Sequence, residues 1–555
     1  MRTRLRTTLV ASAVLAGSLA LTAPVAYATG NPTTAAAPPS FTPRAEDPGR
    51  DGNAIATPEQ RILPTPSSLV TRSGTLTFDA TSVIDVGKHP RPSTETVAAG
   101  LATFLRTPTG YDWKVVHGST AAHRVVLRVG GPKRLGKEGY TLDVDGTAAT
   151  ITARTDTGLF HGVQTLRQLM PSAVERHDKI TGTAWSVAQV KITDHPRYAV
   201  RGAMLDVARH FMSVAEVEHY LDAMVPLKLN TFVLHLSDDQ GWRLQIRSWP
   251  RLASYGGALE TGGTPGGSYT QADYRTIVAY ATARHITLVP QIDVPGHTNA
   301  ALASYAELNC DGKAPDRYTG TDVGFSSLCA SKAVTYRFLD DVIGEIADLT
   351  PGRWISIGGD EAASTTPADY TKIVDAAQKD VRSHGKTMWG WHQTAAADPK
   401  KGSVAAYWGT AGSEADIELA QEAVREGEKL VMAPADHAYL DMKYAPTTPL
   451  GQDWAGIVPV PASYDWDPAT LVPGVPASAV AGVLAPVWTE TITNVSAAQY
   501  MAFPRLAGIA QLGWSPERTH ALEPYLVQLA AQAPRWRAAG TTFYAAPEVA
   551  WRRFA

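Results

Sequence analysis

Apolar residues follow two alternating patterns after about residue 198. Short apolar runs alternate with longer segments in which apolar residues recur every three or four positions. The first pattern predicts buried strands and the second predicts amphipathic helices. Eight runs predict strands, at 202–207, 231–236, 286–292, 354–357, 387–391, 404–408, 429–433 and 482–488. Strands that alternate with helices are typical of a parallel sheet.

Helices fit between these strands. Examples are 213–229, 270–285 and 332–349, and 496–514 predicts a closing helix. Eight such units are the number that closes a (β/α)8 TIM barrel, an α/β fold. An open doubly wound sheet is the alternative, but no glycine fingerprint follows the first strand. We therefore predict a barrel domain over residues 197–555.

A smaller α+β accessory domain is predicted over residues 61–196. Short β-rich segments bounded by Gly and Asp lie at 75–80, 124–131, 139–146 and 149–156, and helical spacing occurs at 93–110 and 157–171. No catalytic cluster is evident in this region, so its expected role is to support the barrel.

The first 28 residues have the three parts of a secretory signal peptide. Arginines at positions 2, 4 and 6 precede an apolar run over 9–21, and Ala26-Tyr27-Ala28 gives a cleavage pattern. A membrane anchor is the alternative, but the run is short for a bilayer span. We expect a secreted protein with a signal peptide at 1–28. Residues 29–60, rich in Ala, Thr, Pro and Gly, predict a disordered linker.

Composition narrows the expected partners. The chain has 50 Lys and Arg against 53 Asp and Glu, a net charge of −3, so no strong positive field would hold nucleic acid or an anionic membrane. Only Cys310 and Cys329 are present, which excludes a cysteine-rich zinc site. In an oxidising compartment we expect these two residues to form a disulfide.

Polar and aromatic residues follow all eight predicted strands. The active site of a TIM barrel is built at the carboxyl ends of its strands, so these residues should meet at one rim. In strand order they are Arg209 and His210; Asp238, Asp239 and Trp242; Asp293 and His297; Asp360 and Glu361; Trp389, Trp391 and His392; Trp408; Asp436, Tyr439 and Asp441; Trp488 and Glu490.

The segment Gly358-Gly359-Asp360-Glu361 is the most specific of these. The glycines permit a tight backbone turn after a buried strand. Neighbouring carboxyl groups can then lie in different environments, so that one stays ionised while the other holds a proton as a general acid. A solvated pair that caps the next helix is the alternative interpretation.

The tryptophans and charged residues suggest a sugar site. Trp391, Trp408 and Trp488 follow three different strands, and aromatic faces suit the apolar faces of a sugar ring. Arg209 and Glu490 could bind hydroxyl groups. A metal site is the alternative for the set Asp238, Asp293, His210 and His297, but no HExxH motif is present. We expect no metal and no cofactor.

Six blocks of sequence resemble glycoside hydrolase family 20, the β-N-acetylhexosaminidases. They are RGAMLDVARHF, LHLSDDQGWRL, QIDVPGH, IGGDEA, YLD and VWTE, in the order of that family. The resemblance covers residues 61–544, and the first domain is similar to the family's accessory domain. Two positions differ: Ser356 stands where the family often has His, and His392 where Glu is common.

This resemblance implies substrate-assisted retention, in which the 2-acetamido oxygen of the sugar attacks the anomeric carbon. Glu361 would be the general acid and later the base, Asp360 would orient the acetamido nitrogen, and Tyr439 would bind the acetamido oxygen. The remaining implied roles are pocket walls (Trp391, Trp408, Trp488), outer rim (Trp454), contacts to sugar hydroxyls (Arg209, Asp238, Asp441, Glu490) and a relay to Glu361 (Asp293, His297).

The expected function is therefore a secreted exo-β-N-acetylhexosaminidase. It would remove terminal non-reducing β-linked GlcNAc, with GalNAc as a second candidate sugar, from chitin oligosaccharides or glycans, and we expect a monomer. A lacto-N-biosidase-like enzyme that releases a disaccharide, and a carbohydrate-binding protein without turnover, are the alternatives.

Overall fold

A computed structural model of the chain describes residues 54–554. The predicted signal peptide and positions 29–53 of the predicted linker lie outside this range. Within it, every helix is too short or too polar to cross a lipid bilayer.

The first domain contains a seven-stranded mixed sheet. Its strands are β1 (Ser68–Thr77), β2 (Val83–Asp85), β3 (Lys114–Val116), β4 (Arg124–Val129), β5 (Tyr140–Val144), β6 (Ala148–Ala153) and β7 (Ser186–Asp194). They lie in the order β1-β7-β5-β6-β4-β2-β3. The helices are α1 (Pro58–Arg61), α2 (Pro92–Thr109) and α3 (Asp156–Leu169), and α2 and α3 pack on the sheet.

The predicted α+β character of this domain is confirmed, but three strands were missed. β2 and β3 have three residues each, which is too short to show a hydrophobic period. β7 does have buried positions at Val187, Val190 and Ile192, but it also carries a lysine and a glutamine. β7 is recognised as a strand by its position between β1 and β5 in the sheet, which the sequence pattern does not show.

The second domain is a closed barrel of eight parallel strands, as predicted. They are β8 (Val200–Asp206), β9 (Thr231–Ser237), β10 (Thr287–Ile292), β11 (Trp354–Ser356), β12 (Thr387–Trp391), β13 (Val404–Tyr407), β14 (Lys429–Met432) and β15 (Val480–Val487). Neighbours in sequence pair throughout, and β15 pairs with β8 to close the barrel. Their carboxyl ends therefore meet at one rim.

Helices surround the barrel and are fixed by local signals. Ser213 and Glu216 form a capping box at the start of the first barrel helix, and Thr270 and Asp273 form one at the next. The helices are α4 (Val214–Met224), α5 (Gln271–Ala283), α6 (Asn299–Ser304), α7 (Ala333–Leu349), α8 (Pro367–Ser383), α9 (Glu414–Arg425), α10 (Ala435–Ala438), α11 (Val460–Tyr464), α12 (Val495–Ala502), α13 (Arg505–Trp514) and α14 (Leu522–Ala539).

The single closing helix predicted over 496–514 is two helices, α12 and α13. Pro504 separates them because it has no N–H to donate and restricts the residue before it to extended backbone. Phe503 accordingly has φ −96° and ψ 135°.

The predicted disordered linker extends to residue 60, but its last residues are folded. Residues 58–61 form α1, which packs on α14. Gln528 donates from Nε2 to the carbonyl oxygens of Glu59 and Ile62, both at 3.1 Å. These partners lie more than 460 residues away in sequence, so local composition could not reveal them.

Buried charges join the two domains. Asp194, in β7, accepts hydrogen bonds from Lys228 Nζ at 3.0 Å, from Tyr140 Oη at 2.7 Å and from Trp514 Nε1 at 3.0 Å. Asp194 and Lys228 are both fully buried. Burial lowers the pKa of Lys228, and the Asp194 carboxylate opposes this. Each member of this ion pair needs the other, because removing one would leave the other charge buried without compensation.

We expect Asp194→Ala to lower the free energy of unfolding by ~3–5 kcal/mol, because it leaves the Lys228 ammonium buried without its carboxylate. Urea unfolding followed by circular dichroism measures the change. Asp194→Ala combined with Lys228→Met should be less destabilised than Asp194→Ala alone. Equal losses in the two variants would show that the buried charge is not the cause.

Candidate active site

A turn of two glycines places the two central carboxyl groups. After β11 the backbone has φ +64° at Gly358 and +95° at Gly359, a region that L side chains rarely adopt. A Cβ atom on Gly358 would lie 1.8 Å from Asp293 Oδ1, and that same oxygen accepts a hydrogen bond from Gly359 N at 2.9 Å. Only glycine permits this approach.

The turn gives Asp360 and Glu361 different surroundings. Asp360 is 6% exposed, whereas the Glu361 side chain is 38% exposed. Helix α8 begins six residues beyond Glu361, and its N-terminus is capped by Thr366. The alternative interpretation of a helix-capping pair is therefore excluded.

Asp360 is buried beside other carboxyl groups and His297. Burial raises its pKa to about 6, with a smaller contribution from Glu361, while His297 acts in the opposite direction. Its Oδ1 has no hydrogen-bond partner among residues 54–554. Burial, followed by the charge of Asp360, also raises the pKa of Asp293. A bound group that donates a hydrogen bond or carries positive charge would satisfy this oxygen.

A chain of polar contacts reaches Glu361 through His297. His297 Nδ1 lies 3.1 Å from Asp238 Oδ1, and His297 Nε2 lies 3.4 Å from Glu361 Oε2. Asp238 also contacts Arg209 Nη2 at 2.9 Å and His235 Nε2 at 2.8 Å. Burial lowers the pKa of His297, but the carboxyl groups of Asp238, Glu361 and Asp360 together raise it, and the net pKa lies well above its usual value.

The predicted relay from Asp293 to His297 was wrong in its first member. The Oδ1 and Oδ2 atoms of Asp293 accept hydrogen bonds from Gly359 N and from Gln291 Nε2, so Asp293 holds the glycine turn. His297 is instead held by Asp238, which the resemblance had assigned to sugar hydroxyls.

Arg209 is the central cation of the rim. It is 3% exposed, contacts Asp206 at 3.4 Å as well as Asp238, and its Nε lies 4.0 Å from Glu490 Oε1. Its guanidinium carbon lies 4.9 Å from the ring centroid of Trp488, within the range of a cation–π contact. Arg209 therefore joins the ends of β8, β9 and β15.

The predicted aromatic residues form one continuous wall. Ring centroids are 5.9 Å apart for Trp391 and Trp488, 6.3 Å for Trp488 and Tyr439, 5.9 Å for Tyr439 and Trp454, and 6.0 Å for Trp454 and Trp408. Trp391, Trp488 and Tyr439 are at most 9% exposed, whereas Trp454 is 53% exposed. The wall thus runs from the barrel interior to solvent.

Two acidic groups complete the buried end of this wall. Asp441 Oδ1 accepts a hydrogen bond from Trp488 N at 3.3 Å, and its Oδ2 has no partner within the described range. Burial raises the pKa of Asp441, and the nearby Glu490 adds to this. Glu490 lies 4.0 Å from Arg209 Nε, and Asp441 lies against the backbone of Trp488, so hydroxyl groups of a ligand could bind both carboxyl groups here.

Some predicted rim residues lie elsewhere. Trp389 packs inside the barrel against Trp354, with centroids 5.5 Å apart, and Trp242 donates to the Leu244 carbonyl. His392 Nε2 lies 2.8 Å from Asp416 Oδ1, and the ring centroids of His392 and Trp408 are 5.7 Å apart. Ser356 Oγ accepts a 3.4 Å hydrogen bond from Gly358 N.

Sequence reasoning missed residues that support the site. His235 holds Asp238, and Gln393 accepts a hydrogen bond from Trp408 Nε1 at 3.0 Å. A histidine inside the apolar run 231–236 was an available signal. Ser326, whose hydroxyl donates to Asp239 Oδ1 at 2.5 Å, gave no such signal because hydroxyl residues are common in loops.

The predicted disulfide between Cys310 and Cys329 is present. It closes a segment that packs on the backbone following Glu361. Ser364 donates from its backbone N to the Gly324 carbonyl at 3.0 Å. The loop that the disulfide closes therefore contacts the backbone just after Glu361.

The metal ligands proposed as an alternative do not assemble as a set. His210 Nδ1 contacts the Thr489 carbonyl oxygen at 2.6 Å, and Asp293 is occupied at the glycine turn. Two other groups do bring donor atoms within 4.8 Å of one another: one is Asp238, Asp239 and His297, and the other is His297, Asp360 and Glu361.

Comparisons with known proteins agree with the fold. The profile described as "Glycosyl hydrolase family 20, catalytic domain" matches residues 198–517, and "Glycosyl hydrolase family 20, domain 2" matches 59–195. A β-N-acetylhexosaminidase of Cellulomonas fimi is 38% identical over 498 residues, which are 89% of this chain and 98% of that protein.

Solved structures are also similar. A mutant β-hexosaminidase of Streptomyces plicatus in complex with GlcNAc is 53% identical, with a TM-score of 0.87 over 91% of this chain and all of that one. A family 20 β-N-acetylhexosaminidase of Streptomyces coelicolor A3(2) is 52% identical, with a TM-score of 0.87 over 90% of this chain and all of that one. The two profiles together match most of the described residues, and the chain therefore belongs to glycosyl hydrolase family 20.

Proposed function

We propose that this family 20 glycoside hydrolase is an exo-acting β-N-acetylhexosaminidase. It would remove terminal non-reducing β-linked GlcNAc from chitin oligosaccharides or glycans by substrate-assisted retention. One observation carries the proposal: a buried Asp360, whose Oδ1 has no partner in the described part of the chain, lies next to a Glu361 that is open to solvent. The names of the relatives, and the GlcNAc bound in the Streptomyces plicatus structure, support the choice of sugar.

The two carboxyl groups match the two demands of this reaction. Glu361 donates a proton to the glycosidic oxygen while the 2-acetamido oxygen attacks the anomeric carbon. The glycosidic bond breaks, the aglycone leaves as an alcohol, and a cyclic oxazolinium forms. Glu361 then removes a proton from water, which opens the ring and gives the retained product. Its exposure allows the aglycone to leave and water to enter.

Asp360 and Tyr439 would position the acetamido group. The unpartnered Asp360 Oδ1 can accept the acetamido N–H and stabilise the positive charge that develops there. Burial raises the pKa of Tyr439 well above 10, with a smaller contribution from Asp360. Its hydroxyl therefore stays protonated and can donate to the acetamido oxygen.

The buried end of the aromatic wall favours a single terminal sugar. Arg209, Asp441 and Glu490 are ionisable groups at this end, and they need hydroxyl partners when water is excluded. Trp391 and Trp488 present aromatic surface beside them. A chain that continued beyond the non-reducing sugar would meet these groups, which is why we favour an exo cut.

Export is part of the proposal. A signal-like segment over residues 1–28 and the Cys310–Cys329 disulfide both favour a protein that works in an oxidising compartment. Chitin oligosaccharides and glycans outside the cell would then be accessible substrates.

Hydrolysis of aryl glycosides tests the proposed reaction. We expect fast release from the N-acetyl-β-glucosaminide, and at least ~10²-fold slower release from the plain β-glucoside, because the latter lacks the internal nucleophile. A thiazoline that copies the cyclic intermediate should inhibit strongly. Equal rates on the two glycosides would rule out substrate assistance, and faster release from a disaccharide aryl glycoside would rule out removal of a single GlcNAc.

Glu361→Gln should lower kcat by ~10²–10⁴-fold, because it removes the proton donor while keeping the shape of the side chain. Binding of GlcNAc, measured by calorimetry, should change little. Glu418→Gln, on the exposed face of α9, is the matched control and should behave like the unmodified enzyme. Unchanged kcat in Glu361→Gln would remove this residue from its role.

The pH dependence of kcat/KM should reflect the ionisation of Asp360. Its carboxylate must be ionised to stabilise the oxazolinium, and its pKa is raised to about 6. We therefore expect kcat/KM to fall as the pH decreases through about 6. Asp360→Asn should lower kcat/KM by ~10²–10³-fold and lose this acid limb, since the amide does not titrate. An acid limb that persists unchanged in Asp360→Asn would assign the titration to another group.

A further inference from the structure

Ser326 lies where three loops of the barrel mouth meet. It belongs to the segment that the disulfide closes, and it is 4% exposed. Its Oγ donates to Asp239 Oδ1 at 2.5 Å and accepts from the backbone N of Thr298 at 2.9 Å. Its carbonyl oxygen accepts from Ser364 Oγ at 3.0 Å. One buried residue therefore joins the loops that follow β9, β10 and β11.

These three loops carry the polar chain that ends at the general acid. Two partners of Ser326 directly follow Asp238 and His297 in the sequence, and the third lies three positions after Glu361. His297 Nδ1 is 3.1 Å from Asp238 Oδ1, and His297 Nε2 is 3.4 Å from Glu361 Oε2, an ion-pair distance. Both distances depend on how the loops are placed relative to one another, and Ser326 contacts all three.

The backbone is strained at both members of the ion pair. The angle φ is +55° at His297 and +44° at Glu361, in the left-handed region that residues other than glycine rarely adopt. Such conformations persist only where the surrounding structure enforces them. The N–H of Thr298, directly after His297, is held by Ser326 Oγ. The Ser364 hydroxyl, just beyond Glu361, is held by the Ser326 carbonyl.

The hydroxyl of Ser326 also stabilises a buried carboxyl group next to this chain. Burial raises the pKa of Asp239 and the charge of Asp238 adds to this, whereas the hydrogen bond from Ser326 is one of the contacts that oppose it. Removing the hydroxyl would take a donor from Asp239 and leave the Thr298 N–H without its acceptor. A buried group that loses its partner favours rearrangement of the segment that carries it.

We propose that Ser326 is a positioning residue for proton donation, and that it keeps His297 against the carboxyl group of Glu361. The inference rests on the proposed function, because it takes Glu361 to be the proton donor. Ser326 is buried and acts through the loops that it joins. Its loss should therefore weaken protonation of the leaving group and leave binding of the sugar unchanged.

Aryl N-acetyl-β-glucosaminides with different leaving groups test this role. A phenol leaves slowly unless it is protonated, whereas a dinitrophenol leaves readily as its anion, so a misplaced general acid slows only the first. We expect Ser326→Ala to lower kcat for the phenyl glycoside by ~10–10²-fold, and to change kcat for the dinitrophenyl glycoside by less than ~3-fold. KM should stay unchanged for both glycosides.

Rescue and a matched control complete this experiment. Ser326→Thr keeps the hydroxyl group and should restore most of the rate on the phenyl glycoside. Ser331→Ala is the control, because Ser331 is exposed just beyond the same segment and its hydroxyl contacts Cys329 Sγ at 3.3 Å. It should behave like the unmodified enzyme.

Ser364→Ala is a milder variant that tests the same joint. Ser364 is exposed, and the substitution removes only the donor to the Ser326 carbonyl, so the fold should tolerate it. We expect kcat for the phenyl glycoside to fall by ~2–10-fold, with no change for the dinitrophenyl glycoside. Equal losses on the two glycosides in a Ser326→Ala enzyme that melts like the parent would overturn the proposal. An unchanged rate on the phenyl glycoside in Ser364→Ala would overturn it as well.

Nitrogen NMR of the histidine side chains supplies a readout that needs no turnover. The signals of His297, assigned by their loss in His297→Gln, should shift in Ser326→Ala and keep their positions in Ser331→Ala. Unchanged His297 signals in Ser326→Ala would contradict the positioning role. An unmodified enzyme that released neither aglycone would contradict the proposed function, and the spectra would still decide whether Ser326 positions His297.

Discussion

The close approach of the Asp293 carboxylate to the Gly358-Gly359 turn is the constraint on which the site depends. Asp293 Oδ1 accepts the Gly359 N–H, and any side chain at position 358 would occupy the same space as that carboxylate. The turn lets two consecutive residues face different surroundings at the end of β11. Asp360 is thereby buried in the barrel mouth, while Glu361 stays open to solvent.

The buried charges at this rim are balanced as a group rather than in pairs. Arg209 and His297 both contact Asp238, so its carboxylate is fully satisfied in the protein alone. Within residues 54–554, Asp360 and Asp441 instead retain oxygens without partners. Unsatisfied buried oxygens cost free energy in the unliganded enzyme, and a ligand that satisfies them regains it. The distribution of satisfied and unsatisfied groups therefore separates the residues that support the site from those that would meet a ligand.

The accessory domain contacts the barrel at the end away from the active site. It meets the barrel through the buried ion pair of Asp194 and Lys228 and through Glu138, which contacts Arg201 and His161. Burial lowers the pKa of His161 to about 4, even though Glu138 opposes this, so the imidazole is neutral near pH 7. These contacts surround the start of β8, at the opposite end of that strand from Arg209, so the domain supports the barrel without lining its mouth.

The sequence by itself determined the barrel, the glycine turn, the Asp360–Glu361 pair and the aromatic residues, because each depends on a local pattern or on the end of a strand. The tertiary structure alone decided which partner each buried charge has. Asp238 and Asp293 both follow apolar strands, and no local signal distinguishes them, yet one holds His297 and the other holds the turn. It also decided that α1 is folded and that Trp389 packs inside the barrel, since both depend on side chains distant in sequence. Periodicity reports which face of an element is buried, whereas the pairing of charges depends on distances that exist only after the barrel has closed.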